Sequence, residues 1–197
     1  MEAGGLEFSK PEERSLPTSD SGLEAVIELK PTGAEEQDDF RIFVSEKTLE
    51  EIREYSATQL DREVGGVMLG GHYIDSEALD GKGMEFVIID GYIPAMHGES
   101  EHASFKFTHD SWSYIHNELD ENYPESRIVG WHHTHPTFGI FLSSMDIFIQ
   151  ENFFNLHWQV ALVVDPVRET LGFLRMTEPG TRPIRSPFYL MRDKKRS

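Results

Sequence analysis

From Ser126 to Asp165 the chain reads as an apolar run, "SRIVGWHH", a polar loop, a helical stretch, "SSMDIFIQENFF", and a second apolar run, "WQVALVVD". Short β-branched runs bounded by turn residues favour strands, whereas apolar residues recurring every three to four positions mark one face of a helix. Strands therefore alternate with helices in the middle of the chain. Nearer the ends the pattern changes. "EVGGVMLGGHYI" from Glu63 and "MEFVIIDGYIPAM" from Met84, joined by the polar "DSEALDGKG", read as a hairpin with a long connection, and "TLGFLRM" and "PFYLM" read as further strands. Together these predict an α/β fold with a mixed β-sheet sandwiched between helices.

Two more helices are expected. Ser45, at the end of the strand "FRIFVS", is placed to cap a helix carrying Leu49, Ile52, Tyr55 and Leu60. Another, from near Asp110 to Glu121, puts Trp112, Ile115 and Leu119 on one face, with Pro124 marking its exit. At 197 residues the chain suits one domain with tails. Residues 1–38, rich in Gly, Ser, Pro, Glu and Asp, are expected to form an arm that orders only in part. Its one apolar burst, "LEAVIEL", can add an edge strand or dock on a partner. The domain is expected over residues 39–191 and a solvated basic tail over 192–197.

Composition removes several classes of function. The chain has no cysteine, so disulfide scaffolds, thiolate metal sites and cysteine nucleophiles are excluded. Any transition metal must sit on His, Asp, Glu and water. The formal net charge of -17, from 35 acidic and 18 basic side chains, repels phosphate backbones and argues against nucleic acid as a partner. The apolar run Val160 to Val164 is far too short to span a membrane, and the start "MEAGGLEFSK" lacks the pattern of a secretory signal. A cytoplasmic location is the expectation.

The loop between the two central strands carries the chemistry. "HTHPTFGIFLSSMD" runs from His133 to Asp146. In a strand, His133 and His135 share a face while His132 points away. Pro136 cannot donate to a ladder, so the strand ends there, and Gly139 lets the loop turn back. A helix starting near Ser143 then brings Asp146, in its first turn, close to both histidines. Two imidazoles and one carboxylate leave the fourth position of a tetrahedral zinc open to water, as in catalytic sites. Ser143-x-x-Asp146 equally fits a capping box. Spacing alone leaves both readings open, although the whole pattern should arise by chance on the order of once in a thousand such sequences.

The run "GWHHTHPTFGIFLSSMD" resembles the zinc signature of the JAMM (MPN+, JAB1/Mov34) metalloproteases, and the resemblance extends through "EVGGVMLG" and the order of elements, over roughly residues 40 to 175. "HTHPT" and "FLSSMD" are similar to the AMSH-type deubiquitinases, and a chain of this size also looks like the bacterial JAB proteins of ubiquitin-like operons. The resemblance implies an MPN/JAB, cytidine-deaminase-like layout. It implies one Zn2+ held by His133, His135 and Asp146, with Glu63 as general acid/base and Ser143 as the oxyanion-stabilising hydroxyl. The implied activity is that of a zinc isopeptidase or peptidase cleaving after the C-terminus of ubiquitin or a ubiquitin-like protein, with a role in a bacterial conjugation or defence operon as one setting. A non-catalytic scaffold on the same fold and a peptidase that processes a sulfur-carrier protein are the alternatives. A cytidine deaminase is excluded by the missing cysteines.

Some positions depart from the family pattern. His132 stands where Tyr or Val is common and is read as a packing residue. The additional structural zinc of AMSH-type enzymes uses cysteine, so this chain cannot reproduce it. His97, His102, His109, His116 and His157 lack ligand spacing with one another and are read as surface or capping residues. An acidic groove beside an exposed strand edge suits an extended, Arg-containing ubiquitin-like tail, with "HGESEHA" and "PTFGIFL" as clamp loops.

Overall fold

The computed structural model describes residues 10–18, 23–29, 40–96, 98–101, 104–178 and 180–193. His97, His102, much of the N-terminal arm and residues 194–197 of the tail lie outside them. Glu12–Glu13 (β1) and Leu23–Leu29 (β2) come from the arm, followed by Arg41–Ser45 (β3) and the helix Glu46–Ser56 (α1). The long hairpin is Gly65–Asp75 (β4) and Met84–Pro94 (β5), with a single turn, Ala78–Gly81 (α2), in its connection. A small pair, Glu99–Glu101 (β6) and Ser104–Lys106 (β7), leads to the helix His109–Asn122 (α3). The central unit is Arg127–Thr134 (β8), Ser144–Phe153 (α4) and Val160–Asp165 (β9). Thr170–Arg175 (β10), Ile184–Ser186 (β11) and Phe188–Asp193 (β12) complete the chain.

One large sheet runs in the order β11, β10, β9, β8, β4, β5, β3, β12, β2, and β1 adds to β4 where β8 has ended. It is mixed. β8 pairs with β9, β5 with β3 and β3 with β12 in parallel, whereas β4 is antiparallel to both its long neighbours. The burst Leu23 to Leu29 is an edge strand on β12. Arg192, expected in the tail, lies in β12 and its guanidinium donates to Glu46 at 2.7 Å.

Alternation along the strands explains why helices cover both faces. Met68, Val129, Val160, Leu162 and Val164 pack with Leu49 and Ile52 of α1, whereas Val67, Leu69, Trp131, Ala161 and Val163 pack with Ile115 of α3 and Ile149 of α4. The unbroken apolar run Val160 to Val164 is thus buried on both sides, as a strand between two helical layers requires. The expected helix to Leu60 ends earlier. Thr58 donates both its amide and its hydroxyl to the Tyr55 carbonyl, which closes α1 at Ser56 and leaves Leu60 exposed.

Candidate metal centre

The site forms where β8 runs out against the first turn of α4. β8 pairs with β4 so that Gly65 stands opposite His133. A Cβ at Gly65 would lie 2.6 Å from the His132 carbonyl and 2.7 Å from the Phe105 ring, so only glycine permits this approach. Just upstream, Val64 exchanges two hydrogen bonds with Thr134, one to the backbone and one to the hydroxyl. Glu63 is thereby held beside the end of β8. Beyond the strand, His135 still donates its amide to the Val164 carbonyl. The chain then turns through Thr137 and Gly139, both at positive φ.

Asp165, fully buried at the end of β9, stabilises that turn. Its carboxylate accepts the amides of Thr137, Gly139, Val167 and Arg168, together with the Arg168 guanidinium. Burial alone would raise its pKa, but these donors hold it below the usual carboxylate range. The consequence reaches the histidines. The held turn presents the Gly139 carbonyl to His135 Nδ1 at 3.2 Å, which fixes the proton on Nδ1 and leaves the Nε2 lone pair facing inward.

Ser143 caps α4 in extended conformation, its Oγ accepting from the Asp146 amide at 3.3 Å while the Asp146 carboxylate accepts from the Ser143 amide at 2.6 Å. The capping box is therefore real. It does not compete with the other reading, because the same Oδ2 atom lies 3.4 Å from Nε2 of both His133 and His135. The two imidazole nitrogens are 3.1 Å apart. Donor atoms around a tetrahedral zinc with bonds of 2.0–2.1 Å stand about 3.3 Å from one another, so this triangle fits that ion. Two neutral imidazoles and one carboxylate are also a donor set zinc accepts.

The electrostatics agree with that use. Burial would raise Asp146, but the adjacent His133 and His135 outweigh it and keep the carboxyl ionised far below its ordinary range. Burial lowers His133 against the pull of Asp146, which favours the neutral, ligating imidazole. Burial also works to lower His135, yet Asp146 and Glu63 together raise it. Glu63 is 3% exposed, and its Oε1 lies 3.8 Å from His135 Nε2, beside the triangle and outside it. Burial pushes its carboxyl up to about 7. A carboxyl there is poised to exchange a proton near neutral pH.

All five sequence-derived residues thus meet at one place. His132, on the opposite face, packs under α1 with its ring nitrogens against Ser56 Oγ at 2.9 Å and Tyr92 Oη at 3.1 Å. His109 contacts the Ser113 hydroxyl on α3. Three supporting residues had no role assigned from the sequence. Trp131 stacks on His133 at 4.4 Å, and Gln150 receives the Trp131 indole N–H at 2.8 Å. The third is Asp165. Trp131 was legible from the strand period that unites 131 with 133, and Asp165 from an acid ending an apolar strand before Pro166.

A mixed sheet with a His-x-His pair at a strand end and an aspartate on the next helix defines an MPN/JAB-type domain. The chain belongs to the JAB1/Mov34/MPN/PAD-1 ubiquitin protease family, whose profile matches residues 41–157. Its relatives include the ubiquitin carboxyl-terminal hydrolase RPN11 of Saccharomyces cerevisiae, 28% identical over 66% of this chain and 40% of that protein. COP9 signalosome complex subunit 5 of Eremothecium gossypii is 33% identical over 64% of this chain and 29% of that protein. The chain spans less than half the length of these curated relatives. In fold it is similar to protein DSY2949 of Desulfitobacterium hafniense, with a TM-score of 0.58 at 14% identity, over 78% of this chain and 95% of the other. No helix among the described residues is long and apolar enough to cross a membrane.

Proposed function

We propose that the chain is a zinc-dependent isopeptidase that cleaves after the C-terminus of ubiquitin or a ubiquitin-like protein. The observation that carries this is the donor triangle of His133, His135 and Asp146 with Glu63 beside it. When bound, zinc supplies Lewis acidity and lowers the pKa of a water to about 7. His133, His135 and Asp146 would hold the ion, and Glu63 beside it would accept a proton from water and return it to the leaving lysine amine, a role its raised pKa suits. The Ser143 Oγ accepts from the Asp146 amide, so its own proton is left to donate to the developing oxyanion. The loop from Pro136 to Leu142 borders the site with Phe141 against His135 at 4.6 Å, and it offers exposed Phe138 and Phe141 to an extended tail. Residues 39–191 would carry this activity.

The names of the relatives support ubiquitin conjugates as the substrate class. A cleavage panel tests it, using ubiquitin joined to lysine by an isopeptide bond, a linear ubiquitin fusion and a sulfur-carrier precursor. Zinc-loaded protein should cut the isopeptide substrate, and Glu63→Gln should not. Cleavage of the sulfur-carrier precursor alone would move the substrate class, and cleavage of none would make the domain a scaffold.

A further inference from the structure

A second set of ligating side chains lies at the far end of β4. His72 is seven residues beyond Gly65, which at about 3.3 Å per residue puts it roughly 20 Å from the first centre. In the β4 to β5 register Ile74 stands opposite Glu85 and His72 opposite Val87, so His72 and Glu85 are diagonal neighbours on one face. The segment between α4 and β9 adds His157. Nε2 of His72 is 2.6 Å from Glu85 Oε1, and Nε2 of His157 is 3.0 Å and 3.1 Å from the two oxygens of the same carboxylate. All three ligand atoms fall within 4.8 Å of one another.

We infer that His72, Glu85 and His157 form a second site for a divalent transition-metal ion, separate from the His133, His135 and Asp146 centre. His72 is fully buried and its ring stacks on Trp158 at 4.6 Å and 17°, so its Nε2 is aimed before any ion arrives. Burial holds its imidazole neutral in the face of Glu85, the form that ligates. His157 and Glu85 reach solvent, with side chains 55% and 31% exposed, which gives an ion an entry path and leaves water to complete the shell. Two imidazoles and a carboxylate suit zinc, copper or nickel in preference to calcium or magnesium. Ligand atoms on a tetrahedral ion stand about 3.3 Å apart, and rotation of the two exposed side chains supplies the small expansion needed. Arg127, whose charge also reaches His72, is itself paired with Glu12 at 2.8 Å. Partial exposure makes this an exchangeable site, in contrast to the buried first centre.

The test uses the full chain carrying His133→Ala and His135→Ala, so that the first centre cannot contribute. Equilibrium dialysis against Zn2+ with elemental analysis should find one ion per chain, and Cu2+ should quench the fluorescence of Trp158. Adding His157→Ala, at an exposed position that need not disturb the fold, should weaken binding at least tenfold, and Glu85→Gln should do the same. If the double variant melts as a folded protein but holds no ion, the proposal fails, and the cluster is a hydrogen-bonded His, Glu, His clasp. Binding unaffected by His157→Ala and by Glu85→Gln would overturn it as well. Neither result depends on whether the first centre is catalytic.

Discussion

Glu63 shows how one carboxyl differs from its many neighbours. In sequence it is one of 35 acidic residues. In the fold it is buried beside His135, and desolvation raises its pKa to about 7. The folded chain therefore binds more protons than the unfolded chain between about pH 4.5 and 7, and the contribution of this group to stability falls as pH rises through that window. Thermal melts of metal-free protein from pH 5 to 8 should show the decline, and Glu63→Gln should flatten it. With zinc bound, the same substitution should lower kcat by about 100- to 10,000-fold while zinc content stays unchanged. Ser143→Ala removes both a cap and a hydroxyl donor. It should cost about 1 kcal/mol of stability in denaturant titration and about 100- to 1000-fold in kcat. The cluster of His133, His135 and Asp146 was legible because strand period and helix start together fix where 133, 135 and 146 point. His72, Glu85 and His157 were not, since their proximity depends on a hairpin register and on a third segment that no local pattern ties to it.

At the scale of elements, the site depends on where β9 ends. Asp165 gathers the amides of two turns and so presents Gly139 to His135. Asp165→Asn replaces an acceptor with a donor facing those amides. It should weaken zinc affinity about 10- to 100-fold, measured by competition with a chromophoric chelator, because such outer contacts set the orientation of the ligating ring. Wild-type affinity in the variant would show that the turn holds itself. The hairpin, the central strand-helix-strand unit and the edge strand could be read from apolar periodicity. The end of α1 could not, because Thr58 closes it through its own backbone and side chain instead of through a glycine or proline that sequence would flag.

For the whole molecule, two core clusters on opposite faces of one sheet hold the fold without the candidate metal centre as their nucleus. Chelation should therefore leave a folded protein. At an ion concentration about 100 times Kd, binding adds about 2.7 kcal/mol, so removal should lower Tm by about 5–10 °C for a chain of this size. Calorimetry with and without chelator measures that shift, and full unfolding on chelation would mean the ion is structural. Sheet order was the least legible feature. β3 lies in parallel between β5 and β12, and its pairing with β12 joins segments more than 140 residues apart.

The central claim is that His133, His135 and Asp146 hold zinc while Glu63 stands beside it. Elemental analysis of zinc-supplemented wild type, Glu63→Gln and His133→Ala tests it in one measurement. Wild type and Glu63→Gln should carry the same zinc content, one ion per chain more than His133→Ala. Equal content in wild type and His133→Ala would contradict the account and reduce the constellation to a capped turn beside two packed histidines.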